Sequence, residues 1–207
     1  MTPQIVVLEH EADRYVQALS EVFPAVRFQS AHSATEALAV CADAGVLMAL
    51  AHEVTAPLVA AMSRLRWIQA LTTGTDHLAT RRLPPDTIIT SARGIHGPQM
   101  AELAFLSMIA LSRNFRAMQE NQAKQIWERW SQRLLLGKTA VLVGVGAISE
   151  EIALRCKAFG MTVLGISAAR AEAPGFDAIL PRARLAEAAA RADFLIVLVP
   201  TARKPTP

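Results

Sequence analysis

The sequence is poor in the features that mark secreted, metal-binding, membrane or nucleic-acid-binding chains. It has only two cysteines, Cys41 and Cys156, far apart and each within a helical pattern. They read as buried reduced thiols, not as a disulfide framework. The five histidines never show His-x-x-x-His spacing and the cysteines never Cys-x-x-Cys, so no metal site is visible. Long apolar runs are missing too. The N-terminus offers only Ile5 to Leu8 before Glu9, which is no signal peptide, and the most apolar helical stretch, Met100 to Leu111, is too short to span a bilayer and is interrupted by Glu102 and Ser107. Net charge is +3 and the isoelectric point about 9.2, yet no stretch strings basic residues together. Arg64/Arg66 and Arg81/Arg82 are isolated pairs that suit a solvated surface better than a nucleic-acid track. These absences predict a soluble, cytoplasmic protein without nucleic-acid or membrane partners.

What is present is a globular composition, 52% hydrophobic and 19% charged over 207 residues, enough for one large domain or two small ones. The chain is organised around residues 137–149. Thr139 to Val143 is a β-branched and apolar run that predicts a buried strand. Gly144 ends it, and residues 150–159 carry apolar side chains at helical spacing. Gly160 then suits a left-handed helix terminus, and a second strand runs from Met161 to Ile166. A strand, a glycine turn, a helix and a strand place a pyrophosphate on a helix N-terminus. Gly144 permits the sharp turn and Gly146 lets phosphates approach the backbone, while the N–H groups of Ala147 and Ile148 face the negative charge. The third position of the fingerprint is Ser149 instead of glycine; it serves close helix–strand packing, where one hydroxymethyl group can be absorbed. The alternative for the same residues is a tight turn without a ligand.

Before this stretch, strands are predicted at Ile5–Leu8, Ala25–Phe28, Val46–Leu50, Trp67–Leu71 and Thr87–Thr90, alternating with helices. One helix spans Glu11 to Val22. A second is capped by Ser33 with Glu36 in a capping-box pattern, and a third starts at Thr55 with Pro57. Five strands alternating with helices predict a parallel, flavodoxin-like sheet. Two loops follow strand C-terminal ends, where open α/β sheets bind ligands: Ala51-His52-Glu53 and Thr72-Thr73-Gly74-Thr75-Asp76-His77. Gly74 can take unusual dihedrals, and successive amides there could form an anion nest for a carboxylate. An ordinary turn with Asp76 as a helix cap is the competing reading, and His52 and His77 suit structural roles as well as acid–base ones. Met100 to Leu111 is apolar all round and predicts burial between domains or under a partner subunit. Asn114 to Gln132 reads as a polar helical connecting arm.

After the second strand of the cofactor unit, an NAD site wants an acidic residue for the ribose 2′-hydroxyl. None is present: the strand ends in Ser167, with Arg170 three residues on. A hydroxyl and a cation suit a 2′-phosphate, which predicts NADP over NAD; the alternative is a solvated arginine. Arg184 to Ala192 predicts a helix, and Asp193 to Pro200 a buried strand.

Leu65 to Gln69 with Thr73 to Leu78, Ala92 to Gly97 with Ala101-Glu102, Gly137-Lys138-Thr139, Gly144 to Ile148, Ala158 to Met161, and Ala192-Asp193 to Pro200 together resemble the D-2-hydroxyacid dehydrogenase family, especially its glyoxylate/hydroxypyruvate reductases. The resemblance implies a flavodoxin-like substrate domain over residues 1–96. Residues 97–207 would then be an interdomain helix with an incomplete Rossmann domain. It implies that Thr73, Gly74 and Thr75 meet a substrate carboxylate, that Gly144, Gly146, Ala147, Ile148, Ser149, Ser167, Arg170, Val199 and Pro200 line NADP, and that a homodimer forms if the fold is completed. The family reaction is hydride transfer between the dinucleotide and a small 2-oxoacid. The family's catalytic arginine, glutamate and histidine have no counterpart here, since the sequence departs from the pattern after Pro200 and reads Thr201 to Pro207. The expectation is a chain with no catalytic residues of its own, inactive alone. Two other expectations stay open, a non-catalytic NADP-binding or oligomerising partner and a truncated gene product without function.

Overall fold

The computed structural model describes residues 3–199. The chain divides into two compact units, one up to Arg93 and one of Gly94–Val199, slightly ahead of the boundary expected after residue 96.

The first unit alternates β1 (Gln4–Leu8), α1 (Ala12–Val22), β2 (Arg27–Ala31), α2 (Ala34–Val40), β3 (Val46–Ala49), α3 (Ala56–Ala61), β4 (Trp67–Ala70) and β5 (Ile88–Ser91). All pairings are parallel, in the order β2-β1-β3-β4-β5. That is the flavodoxin-like order the alternation predicts. Val6, Leu8, Leu47, Leu58 and Ile68 fill its core. Two caps start helices as expected. The Ser33 hydroxyl accepts from the Glu36 N–H at 3.2 Å, and Thr55 Oγ1 accepts from the Leu58 N–H at 3.4 Å. The capping box is incomplete, however: the Glu36 carboxylate accepts from the His32 N–H at 2.9 Å, one residue before the cap. β2 begins later than expected because a turn follows Pro24. The Val26 N–H closes onto Phe23, and the ladder starts only where the Arg27 N–H donates to Pro3.

The second unit contains α4 (Gly97–Ser112), α5 (Phe115–Ala123), β6 (Thr139–Val143), α6 (Ala147–Ala158), β7 (Thr162–Ile166), β8 (Ala178–Leu180), α7 (Leu185–Ala190) and β9 (Phe194–Val197). Its parallel order is β8-β7-β6-β9, the 3-2-1-4 arrangement that opens a Rossmann sheet. α4 packs on α6 and buries Ala101, Phe105 and Met108. Within this unit its opposite face is uncovered among the described residues, with Leu106 62% and Leu111 76% exposed. The arm is helical only to Ala123, not to Gln132. Gln125 turns left-handed at φ 56°, its N–H bonds to Gln122 at 3.1 Å, and the Ile126 N–H reaches back to Asn121 at 2.9 Å. Those two bonds form a Schellman terminus with glutamine where glycine is usual.

β8 is a strand the sequence patterning missed. Asp177, next to it, fixes its place: the carboxylate accepts from Lys157 Nζ at 2.7 and 2.9 Å and from the Val163 N–H at 2.7 Å. The Lys157 ammonium, then the Val163 amide, hold the Asp177 carboxyl below its ordinary 3.8. A depressed carboxyl contributes stability that is present above the unfolded value and is lost as pH falls through the folded one. Asp177→Asn is therefore expected to cost about 1 kcal/mol near neutral pH, because the partners are only half-buried. It should also flatten, without abolishing, the loss of thermal stability below pH 3.8, since Asp193 is depressed in the same direction by the Thr139 amide and then Lys138. Thermal melts of both proteins across the acid range check this; parallel pH profiles would contradict it.

Among the described residues β9 pairs with β6 on one side only, and its Leu195 and Val197 are 50% and 62% exposed. An apolar strand with unpaired backbone groups is an association template. The isolated chain is expected to self-associate with concentration, and Val197→Lys to suppress it; a monodisperse monomer by light scattering would contradict this.

Candidate functional site

In the second unit the candidate site is the turn between β6 and α6. Gly144 sits at φ 100°, a backbone that side chains rarely adopt, and a Cβ there would lie 2.8 Å from the carbonyl oxygen of Leu198. The end of β9 thus approaches the end of β6 so closely that only glycine fits, and Val199 lies beside it. Gly146 caps α6, and a Cβ built on it meets nothing within 4 Å, so the backbone faces open space. The first N–H groups of α6, on Ala147 and Ile148, have no partner within the helix. They point with the positive end of the helix dipole toward that space.

Ser149 does more than fit. Its side chain is buried; its hydroxyl donates to the Gly144 carbonyl at 2.6 Å and accepts from the Gly146 N–H at 2.9 Å. One side chain therefore closes the turn from inside. The consequence is that the Gly146 amide is committed to Ser149, so only the amides that follow are left to meet an incoming anion.

Ser167 stands at the end of β7, its oxygen accepting from the N–H groups of Ala169 at 3.1 Å and Arg170 at 3.0 Å. This shapes the loop while leaving the hydroxyl proton to donate elsewhere. Arg170 is not simply solvated: its guanidinium pairs with the carboxylate of Glu150 in the first turn of α6. The sequence reading missed Glu150, which lies in an unremarkable helical pattern 20 residues earlier. Pro200 lies outside the described residues. A dinucleotide fits what is there: open space over Gly146, unpartnered helix amides and a hydroxyl and guanidinium at the next strand end.

In the first unit, the loop after β4 is held by Thr72 Oγ1 donating to the Gly74 carbonyl at 2.7 Å and Thr73 Oγ1 donating to the Ala92 carbonyl at 3.0 Å, beyond the end of β5. Gly74 does not use its freedom. No residue from Thr72 to His77 has a positive φ, so the alternating backbone of a true nest is absent. A Cβ on Gly74 would make only an ordinary 3.5 Å contact with Asp76. The N–H groups of Thr73, Gly74 and Thr75 nevertheless have no acceptor among the described residues. Asp76 caps no helix; His77 precedes the short turn of helix over Leu78–Thr80. The loops after β3 and β4 come together, the His52 and His77 rings meeting edge-on with centroids 6.3 Å apart. Glu53, in the former loop, keeps one carboxylate oxygen shielded without a hydrogen-bond partner. His96 belongs to the other unit, at the start of α4.

Neither cysteine offers chemistry. Both are buried free thiols, and burial pushes Cys156 up to about 11, so it is protonated at neutral pH. No helix among the described residues is long and apolar enough to cross a membrane, and no group of three His, Cys, Asp or Glu there could hold a metal ion.

Comparison with known proteins agrees with this geometry. The model of the D-isomer specific 2-hydroxyacid dehydrogenase catalytic domain matches residues 5–134, and that of the family's NAD binding domain matches residues 105–206. The chain is 31% identical over 125 residues to a hydroxypyruvate reductase of Thermotoga maritima, covering 59% of this chain and 41% of that protein. It is 32% identical over 164 residues to the glyoxylate reductase/hydroxypyruvate reductase of Mus musculus, covering 74% and 49%. The chain thus spans less than half the length of both. A solved D-isomer specific 2-hydroxyacid dehydrogenase family protein from Aeromonas salmonicida superposes with a TM-score of 0.88 at 30% identity, over 98% of this chain and 65% of that one. With the catalytic-domain model matching more than half its residues, and a nicotinamide-dinucleotide turn built as described, the chain belongs to the D-isomer specific 2-hydroxyacid dehydrogenase family.

Proposed function

We propose that this chain supplies the carboxylate-binding and dinucleotide-binding elements of an NADP-dependent oxidoreductase whose reaction is hydride transfer between NADPH and a small 2-oxoacid such as glyoxylate or hydroxypyruvate. The observation that carries this reading is the Gly144–Ser149 turn, with its open approach over Gly146 and the hydroxyl and guanidinium of Ser167 and Arg170 at the adjoining strand end. The nicotinamide supplies the hydride when the dinucleotide is bound. Ala147 and Ile148 amides hold the pyrophosphate, Ser167 and Arg170 take the 2′-phosphate, and Val199 borders the turn beside Gly144. The first unit acts as the substrate domain, and the N–H groups of Thr73, Gly74 and Thr75, without an acceptor among the described residues, hold the substrate carboxylate. The exposed Leu106 and Leu111 face of α4 suits contact with a second subunit, as in a homodimer. The cytoplasm is the compartment that suits its reduced thiols.

Cofactor choice is directly testable. Titration calorimetry is expected to give tighter binding of NADPH than of NADH. Arg170→Ala should weaken NADPH about tenfold and NADH less than about twofold, the worth of one charge-assisted phosphate contact. Equal losses for both, or tighter NADH binding in the parent, would refute the NADP assignment.

Turnover is a separate question. Hydride addition leaves an alkoxide that must gain a proton, and a placed general acid is typically worth about 10²–10⁴-fold. The resemblance assigns that acid, the partnering glutamate and the cationic carboxylate clamp to residues without counterparts here. His52 and His77 precede the cofactor turn in sequence, where the family's acid follows it. The 207-residue chain tested alone is expected to bind NADPH but not to oxidise it with glyoxylate or hydroxypyruvate. Loss of NADPH absorbance that disappears in His77→Ala or His96→Ala would overturn this reading.

A further inference from the structure

We infer that Glu150 is a cofactor-specificity residue that holds Arg170 away from the 2′-phosphate and so limits the preference for NADP over NAD. The inference rests on the dinucleotide reading above and extends it to a side chain with no place in the glycine fingerprint.

Arg170 follows β7 and Glu150 lies in the first turn of α6, yet their side chains form an ion pair across the mouth of the turn. Glu150 is about a quarter exposed and Arg170 less than half, so water reaches both. An exposed pair of this kind is weak and easily exchanged. A 2′-phosphate near neutral pH carries up to two negative charges and several acceptor oxygens, and forms a stronger partner for a guanidinium than one carboxylate does. Arg170 can therefore be captured by the phosphate, but only by giving up Glu150. The freed carboxylate then stands near the phosphate with no other cation bonded to it, since Glu150 has no second ion-pair partner among the described residues. NADH has no 2′-phosphate and leaves the pair intact. The penalty thus falls on NADPH alone.

A second effect of Glu150 must be separated from this one. As an acidic residue in the first turn, it lowers the positive potential that α6 offers to any pyrophosphate. That effect weakens both dinucleotides alike and cancels in the ratio of their affinities. Only the hold on Arg170 changes the ratio, which makes Glu150 a positioning residue acting through Arg170.

The experiment is titration of NADPH and NADH into four proteins, the parent, Glu150→Gln, Arg170→Ala and the double variant, with thermal melts to verify folding. Glu150→Gln is expected to raise the NADPH-to-NADH affinity ratio about fivefold. With Arg170 already replaced, the same substitution should move the ratio less than about twofold. An unchanged ratio in a folded Glu150→Gln protein that still binds NADH would overturn the inference and leave the dinucleotide reading standing. A lowered ratio would show that Glu150 presents Arg170 to the phosphate instead of withholding it, and would also overturn it. Failure of the parent to bind either dinucleotide would overturn both.

Discussion

The close approach of two strand ends at Gly144 is the constraint on which the cofactor unit depends. A carbonyl oxygen of Leu198 occupies the space that any side chain at Gly144 would need, and the positive φ there turns the chain sharply out of β6. Both conditions must hold for β9 to lie beside β6 with Leu198 bonded to Val143 at 2.8 Å. The same turn aims α6 so that its first amides face the C-terminal edge of the sheet. Strand order, helix direction and anion-binding capacity therefore share one backbone geometry. Substitution at Gly144 would disturb all three together, whereas Gly146 has room around it and is demanding only toward a ligand.

Ser149 shows how a departure from a fingerprint can be absorbed and then used. Glycine at this position would leave the Gly144 carbonyl and Gly146 amide to solvent or ligand. The serine hydroxyl instead satisfies both from within the turn, in a side chain only 1% exposed. A buried hydroxyl without partners would be costly; one that donates and accepts at good distances stiffens the loop. The turn is pre-organised before any phosphate arrives, at the expense of one amide that could have contacted it.

Much of this was legible in the sequence because it depends on local pattern. The alternating apolar runs gave both parallel sheets, and Gly144, Gly160, Ser33 and Thr55 announced turns and caps through their backbone requirements. The failures have equally physical origins. β8 is only three residues long, and its place is set by the Asp177 carboxylate bonding to Lys157 and Val163, tertiary contacts with no periodic signature. The arm stops being helical where Gln125 takes a left-handed backbone that glycine would normally signal. α4 is apolar on every side, which predicted burial, but within its own unit the described residues cover the side that meets α6 and leave Leu106 and Leu111 exposed. At Thr72 to His77 the expected nest geometry is not what the backbone adopts. Free amides are there, but the left-handed glycine is not.

The ion pair at the mouth of the turn could not be read in advance, because it joins two elements whose proximity depends on the tertiary fold. It also exposes a conflict between folding and binding at one helix end. A carboxylate in the first turn stabilises a helix by about 0.3–1 kcal/mol, through the same positive potential that makes that end attractive to phosphate. The helix gains from Glu150 before ligand arrives, and the anion meets a terminus already partly neutralised. Pairing with Arg170 moderates the conflict by covering the carboxylate with a partly exposed cation. Such an arrangement stays electrostatically satisfied without ligand and can exchange one anionic partner for another without burying a bare charge. A fully buried pair could not do this, since separating it would strand an uncompensated charge in a poor solvent. The partial exposure of both side chains is therefore what would allow the pair to serve the fold and still yield to the proposed 2′-phosphate.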